Sequence, residues 1–193
     1  DLRESFKRKM PKHLMIAIHW FGPFKSLDDA RQSAKEELGS GLYMCTGRVK
    51  SQRSVQLQYI GIGGTVHTRL VNSHHKLSEV TDSRQIWLGQ PSSAEPSGKK
   101  LKMTQATLDY AEWLHAHFLK LPLNEKKTRK PPERPVTVLN RWFKTNYETP
   151  YRNRPHPDWP DLVDYPWFDD MPTRLVWFGG KQRLLPSPSY RVL

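Results

Sequence analysis

The chain has 193 residues, and its 31 lysines and arginines against 19 aspartates and glutamates give a net charge of +12 at pH 7. This length suits one domain with a substantial core, and the longest apolar runs, such as residues 15–18, are too short to cross a bilayer. The positive charge favours a polyanionic partner. A membrane surface is the less favoured partner, because the sequence has no convincing amphipathic basic helix. A single cysteine, Cys45, excludes an internal disulfide and a cysteine-based zinc site. Residues 1–12 are charged and carry no secretory pattern, so we expect a cytoplasmic protein.

The first elements in chain order are a strand, a helix and a hairpin. Residues 13–21 are apolar and aromatic, which predicts a strand, and residues 28–38 form a polar helical pattern that follows the capping residue Ser26. Residues 41–49 and 55–62 are two further strand-like runs. Because only a short polar loop separates these two runs, we expect them to pair as an antiparallel hairpin.

Two helices and a strand are predicted in the middle of the chain. Val66, Leu70 and Leu77 recur at near-helical spacing and predict a helix directly after the hairpin. Residues 84–88 predict a short strand. Residues 104–119 carry a regular apolar face and predict the longest helix.

The composition changes after residue 124. Residues 126–135 are basic and interrupted by proline, which is typical of a linker or an arm, whereas residues 136–143 and 174–178 predict strands. Four tryptophans in this part of the chain either stack on unpaired bases or pack a small subdomain, and packing is the commoner role: Trp142, Trp159, Trp167 and Trp177.

Two short motifs lie in the two strands of the predicted hairpin, sixteen residues apart, and three single residues follow them at set distances. These are Gly41-Leu42-Tyr43, Tyr59-Ile60-Gly61, Arg69, Glu112 and Asn124. In this order and spacing, the chain resembles the GIY-YIG nuclease family over residues 41–124. Either half of the motif alone is weak, and the joint pattern carries the resemblance.

The resemblance implies an α+β fold, with a small three-stranded antiparallel sheet flanked by helices. It divides the chain into an N-terminal extension of a strand and a helix (1–40), a GIY-YIG-like catalytic domain (41–124), and a basic arm with a Trp/Pro-rich extension (125–193). It also implies a divalent-metal-dependent endonuclease that hydrolyses phosphodiester bonds with Mg²⁺ or Mn²⁺, with DNA as the expected substrate.

The resemblance further implies a role for each matching side chain. Tyr43 activates or orients the attacking water, and Tyr59 contacts that water or the scissile phosphate. Arg69 grips phosphate oxygens, for which its fixed charge and forked donors are suited. Asn124 braces the site through hydrogen bonds. The identity of the general base stays open, since an unperturbed tyrosine with a pKa near 10 is a poor base at neutral pH.

Glu112 is the candidate metal ligand. It follows Leu108 by four residues and lies at the rim of the helix's apolar face, where partial desolvation favours a bound cation. Mg²⁺ prefers oxygen ligands and keeps most of its waters, so one or two carboxylates suffice, and Asp109 is the alternative ligand one turn away. The opposing interpretation is that Glu112 is an ordinary solvated glutamate.

The chain departs from the family pattern four residues after Arg69. Many members carry a histidine or tyrosine there, whereas this chain has Ser73, followed by His74 and His75. An irregular helix would bring His74 into the site as a proton shuttle. Without that irregularity, a serine takes the role or the role is absent.

Four basic residues beyond the motif are candidates for nucleic-acid binding: Lys126, Lys127, Arg129 and Lys130. They would neutralise phosphates along a duplex, or they form a solvated linker. We expect DNA as the partner, leave RNA open, and expect no membrane association. The alternative function is a non-catalytic nucleic-acid-binding module on a nuclease scaffold, and a third is a protein-interaction domain. Sequence specificity and oligomeric state stay open.

Overall fold

The computed structural model of the protein describes residues 11–92, 104–168 and 170–186. Within these ranges it has eight strands and two α-helices. The strands are β1 (Leu14–Phe24), β2 (Gly41–Arg48), β3 (Gln56–Gly63), β4 (Asp82–Ser92), β5 (Val136–Phe143), β6 (Leu162–Tyr165), β7 (Thr173–Val176) and β8 (Gln182–Leu185). The helices are α1 (Leu27–Glu37) and α2 (Gln105–Phe118). All eight strands form one curled sheet in the order β3-β2-β4-β1-β5-β6-β7-β8.

The expected small three-stranded sheet flanked by helices is wrong. Strands β3, β2 and β4 form an antiparallel unit, but β4 continues into an antiparallel pairing with β1, and β1 pairs in parallel with β5. Ile16, Ile18 and Trp20 on β1 are at most 1% exposed. These residues share one face of β1 and belong to the larger apolar cluster, and both edges of the strand are paired, so β1 lies inside the sheet and does not end it.

Most of the predicted elements are confirmed individually. The hairpin of β2 and β3 is antiparallel, and β5 covers the predicted residues 136–143. Helix α1 begins after Ser26, whose side chain accepts a hydrogen bond from the Asp29 amide at 3.0 Å. Helix α2 begins after Thr104, whose hydroxyl accepts from the Thr107 amide at 3.3 Å. Each cap satisfies a backbone donor that the first helical turn leaves unpaired.

The helix predicted directly after the hairpin is wrong. Two single turns of 3-10 helix, Val66–Thr68 and Leu77–Glu79, take its place. Val66, Leu70 and Leu77 are nevertheless buried against α1. The apolar spacing therefore predicted correctly that these residues are buried. It did not predict the backbone conformation, because two tight turns can bury residues at the same spacing as an α-helix does.

Two apolar clusters lie on opposite faces of the sheet. Helix α2 packs on one face with the larger cluster, whereas α1 and the two 3-10 turns pack on the other. Trp142, Trp159 and Trp177 are at most 5% exposed in the larger cluster, and Trp167 packs against it. These tryptophans pack in the main core. The three buried ones are therefore not accessible for stacking on unpaired bases. In the described ranges, no helix is both long enough and apolar enough to cross a membrane.

A candidate active site at the β3 edge

The matching side chains meet at the edge of the sheet that β3 forms. A cleft of about 410 Å³ lies there, and we call it the β3 cleft. Its walls include Tyr59 and Arg69 from one face of the sheet and Glu112 from α2 on the other. Because β3 is the terminal strand of the sheet, groups from both faces reach one opening. Its lining is Tyr59, Ile62, Arg69, His75, Lys76, Glu112, Leu123, Asn124, Glu125, Lys126 and Lys127.

Tyr43 and Tyr59 lie on neighbouring strands, as the sequence predicts, but in diagonal positions. Tyr43 pairs with Gly61, and Tyr59 pairs with Cys45. Side chains two positions apart on paired strands point to the same face of the sheet, and the two rings are 6.0 Å apart between centroids. Tyr43 is fully buried, whereas Tyr59 lines the cleft.

Two positions of the motif must be glycine, because neighbouring atoms occupy the space that a Cβ would need. A Cβ at Gly61 would overlap the ring and hydroxyl of Tyr43, which lies across this glycine. A Cβ at Gly41 would lie 2.6 Å from the carbonyl oxygen of Gly89 on the adjacent β4. The side-chain-free position at Gly61 therefore allows Tyr43 to reach across the hairpin toward the cleft.

His74 contacts the buried end of Tyr43. Its Nε2 lies 3.1 Å from the Tyr43 hydroxyl. Its Nδ1 accepts hydrogen bonds from the backbone amides of Lys76 at 3.2 Å and Leu77 at 3.3 Å, which places the proton of the neutral ring on Nε2. His74 therefore donates to the oxygen of Tyr43. The irregular backbone between the two 3-10 turns brings His74, rather than Ser73, to Tyr43.

Burial keeps the titratable groups of this cluster neutral. It raises the pKa of Tyr43 well above its usual range, with a further rise from Tyr59 that the Arg69 guanidinium only partly offsets. Burial also raises the pKa of Tyr59. The pKa of His74 is lowered by burial first and then by electrostatic interaction with the neighbouring His75 and Arg69. At neutral pH both phenols hold their protons, which favours orientation of a water over abstraction of its proton by tyrosine.

Glu112 faces the cleft and holds an ion pair with Lys127. The Glu112 side chain is only 15% exposed, and its Oε2 lies 2.5 Å from the Lys127 Nζ. The same ammonium lies 3.0 Å from Oδ1 of Asp109, one helical turn earlier. The two carboxylates therefore converge on one positively charged centre. Of the four predicted nucleic-acid-binding residues, Lys126 and Lys127 line the cleft, with Lys126 exposed at its surface, whereas Arg129 and Lys130 are exposed outside the lining.

Asn124 holds the backbone of the terminal strand. Its Oδ1 accepts from the Ile60 amide and its Nδ2 donates to the Ile60 carbonyl, each at 2.9 Å. These two hydrogen bonds satisfy the backbone N–H and C=O of Ile60 on the open edge of β3. It fixes the strand that carries Tyr59.

Lys76 is a cleft residue that the sequence reasoning missed. Its side chain is 13% exposed, and its Nζ lies 2.5 Å from Oε1 of Glu125. Hydrogen bonding to Glu125 raises the pKa of Lys76, so its charge is retained. No motif spacing marks this position, and the histidines immediately before it are its only local signal.

The donor set fits a divalent cation. Oε2 of Glu112 and Oδ1 of Asp109 are hard oxygen ligands of the kind that Mg²⁺ and Mn²⁺ prefer. They already surround a positive charge, the Lys127 ammonium, so the local field favours a cation at this place. A metal bound there would require Lys127 to move.

Comparison of the chain with protein-family models, with curated proteins and with solved structures found no match.

Proposed function

We propose that the protein is a divalent-metal-dependent endonuclease that hydrolyses phosphodiester bonds, with DNA as its substrate. The observation that carries this proposal is that Tyr59, Arg69 and the partly buried Glu112 line one cleft, with the buried Tyr43 ring 6.0 Å from that of Tyr59. These residues come from sequence positions nearly seventy apart and from both faces of the sheet. A chance occurrence of short motifs gives no reason for such a meeting.

Each side chain has a task that its surroundings support. Arg69 is charged at every relevant pH, and its interaction with Tyr43 raises its pKa further, so it is available to a phosphate oxygen in the cleft. Tyr59 presents its phenol to the cleft and can orient a water or a phosphate. Tyr43 receives the His74 N–H and is thereby held in position. Asn124 keeps the Tyr59 strand in register with the hairpin.

The reaction needs an attacking water and a departing 3′ oxygen. A water oriented by Tyr59 attacks phosphorus and releases its proton to solvent, the bond from phosphorus to the 3′ oxygen breaks, and that oxygen takes up a proton from solvent. Arg69 neutralises charge on the non-bridging oxygens. Glu112, with Asp109 beside it, would hold the metal ion. When bound, a divalent ion supplies Lewis-acid stabilisation of phosphoryl charge and a lowered pKa for water.

The proposal is tested by cleavage of a labelled duplex. We expect cleavage with Mg²⁺ and none with EDTA, and we expect Arg69→Ala to lower the rate by at least about 100-fold while duplex binding changes little. Arg31→Ala, an exposed arginine on α1, is the matched control and should cut like the wild type. Equal rates for Arg69→Ala and Arg31→Ala would remove Arg69 from the mechanism.

One observation favours the alternative of a non-catalytic nucleic-acid-binding module. Lys127 neutralises Glu112 and Asp109 and so competes with any metal for the same oxygens. If that ion pair is permanent, the cleft binds phosphates through Arg69 and Lys76 without cutting. Tight DNA binding by a protein that takes up no Mn²⁺ would establish this alternative.

A further inference from the structure

A second concave site lies well away from the β3 cleft. It is a groove of about 570 Å³ beside the parallel pair β1 and β5, and we call it the arginine groove. Four strand spacings separate β5 from β3 in the sheet, which is about 19 Å. Its most prominent lining residues are His19, Arg141, Tyr151, Arg152, Arg154 and Phe178.

The arginine groove carries more positive charge than its surroundings balance. Arg154 pairs with Asp161 at 2.7 Å. Within the described residues, neither Arg141 nor Arg152 has a carboxylate partner in ion-pair distance. Two guanidiniums beside one groove repel each other, and an anionic ligand would relieve that repulsion.

The groove also presents aromatic rings that the fold holds in place. Phe178 is 58% exposed, yet its backbone amide donates to Asp161 at 2.8 Å and its carbonyl accepts from Arg154 at 3.2 Å. Tyr151 is 37% exposed, and its hydroxyl donates to the Gly22 carbonyl at 3.1 Å. The hydroxyl bond holds the Tyr151 ring itself, and the two backbone bonds hold the position from which the exposed Phe178 ring projects, so both rings are presented for stacking.

One of the two unpaired guanidiniums is itself ordered by an aromatic contact. Cζ of Arg141 lies 5.2 Å from the centroid of the Phe143 ring, and the His19 ring lies 4.9 Å from the same ring. A guanidinium held on a ring retains its N–H groups for phosphate oxygens. The arginine groove therefore joins phosphate donors, of which Arg141 is ordered, with exposed aromatic rings.

We propose that the arginine groove binds single-stranded nucleic acid, with Arg141 and Arg152 on phosphates and unpaired bases on Phe178 and Tyr151. Bases in a duplex are stacked on each other and do not offer their faces. A double-stranded ligand could therefore contact the arginines with its phosphates but could not stack on the aromatic rings. The inference rests on the proposed function, which it deepens by naming DNA with an unpaired segment as the substrate class.

The test is a titration of fluorescein-labelled 12-nucleotide single strands and 12-base-pair duplexes, read by anisotropy in EDTA so that no cleavage occurs. We expect the wild type to bind the single strand more tightly than the duplex. Phe178→Ala should weaken single-strand binding by about 5- to 100-fold. Phe168→Ala, which removes a phenylalanine that is 38% exposed outside the groove, is the matched control and should bind like the wild type.

The arginines are tested through salt dependence. Replacing Arg141 and Arg152 together by alanine should reduce the slope of log affinity against log salt by about 1.4, since each single-strand phosphate contact contributes about 0.7. Arg31→Ala with Lys35→Ala, two exposed residues of α1, provides a control with the same loss of charge elsewhere. Thermal melts check that each variant is folded.

The outcomes separate this inference from the proposed nuclease. Wild-type single-strand affinity and salt slope in all groove variants would overturn the inference, even if the protein cuts DNA. Groove-dependent binding without any Mg²⁺-dependent cleavage would support the inference for binding and overturn the nuclease.

Discussion

Replacing Lys127 by alanine should increase the affinity of the β3 cleft for a divalent cation. The Lys127 ammonium lies 2.5 Å from Oε2 of Glu112 and 3.0 Å from Oδ1 of Asp109, so it competes directly with a metal. A pair of unit charges 3 Å apart interacts by about 1.4 kcal/mol even at the dielectric constant of water. The side chains are 15–42% exposed, and the released lysine regains its hydration, so we take about 1.4 kcal/mol as the net gain for the two contacts together. That corresponds to about tenfold tighter metal binding.

The assay is a Mn²⁺ titration followed by electron paramagnetic resonance, in which free Mn²⁺ gives the signal. Lys130→Ala is the matched control, because it removes the same charge from an exposed residue of the same basic run that does not line the cleft. We expect the dissociation constant for Mn²⁺ to fall for Lys127→Ala and to change less than twofold for Lys130→Ala. Unchanged or weaker binding in Lys127→Ala would refute the competition between lysine and metal.

Three further predictions concern the frame of the site. Gly61→Ala should destabilise the protein by about 1–3 kcal/mol in urea unfolding and displace the Tyr43 ring, because its new Cβ overlaps that ring; a wild-type midpoint would contradict this. Asn124→Ala should cost about 1–3 kcal/mol and speed hydrogen exchange at Ile60, since both side-chain bonds to that residue are lost. The pKa of His74 in the folded protein lies below the ordinary histidine value of about 6.5, so the unfolded chain binds its proton first and stability should fall as the pH drops below about 6.5. His74→Gln should make the urea midpoint less sensitive to pH between 7.5 and 5.5, and an unaltered pH dependence would exclude this histidine as the cause.

The individual elements could be predicted from the sequence because their signals are local. Apolar runs, a capping serine and a regular apolar face specify β1, α1 and α2 without reference to distant residues. The arrangement of the strands could not be predicted in this way. The parallel pairing of Ile16 with Val138 joins positions more than a hundred residues apart, and it depends on how the whole core is covered. The family resemblance pointed to a minimal sheet, whereas the apolar character of β1 and β5 required a larger one.

The candidate site was predictable as a set of residues and only partly as a geometry. The spacing of the motif identified Tyr59, Arg69 and Glu112, which line one cleft. The sequence placed Lys127 in a basic arm as a candidate nucleic-acid-binding residue and gave no sign that it pairs with Glu112; the chain turns there, with a backbone φ of 60°, and Lys127 contacts α2. A basic run that contains proline is usually a solvated arm, so composition alone assigns this lysine to the exterior. The ion pair with Glu112 arises from that turn and is visible only in three dimensions.

Incubation of supercoiled plasmid with the protein tests the central claim most directly. The reactions contain Mg²⁺ or EDTA and compare the wild type with Glu112→Gln and with Glu37→Gln, a control on the exposed face of α1. We expect the wild type to convert the plasmid to nicked or linear DNA with Mg²⁺ and not with EDTA. The cleavage rate should fall by at least about 100-fold in Glu112→Gln and be unchanged in Glu37→Gln. Plasmid that stays supercoiled with Mg²⁺ while shifting on a gel, or equal cleavage by Glu112→Gln and the wild type, would contradict it.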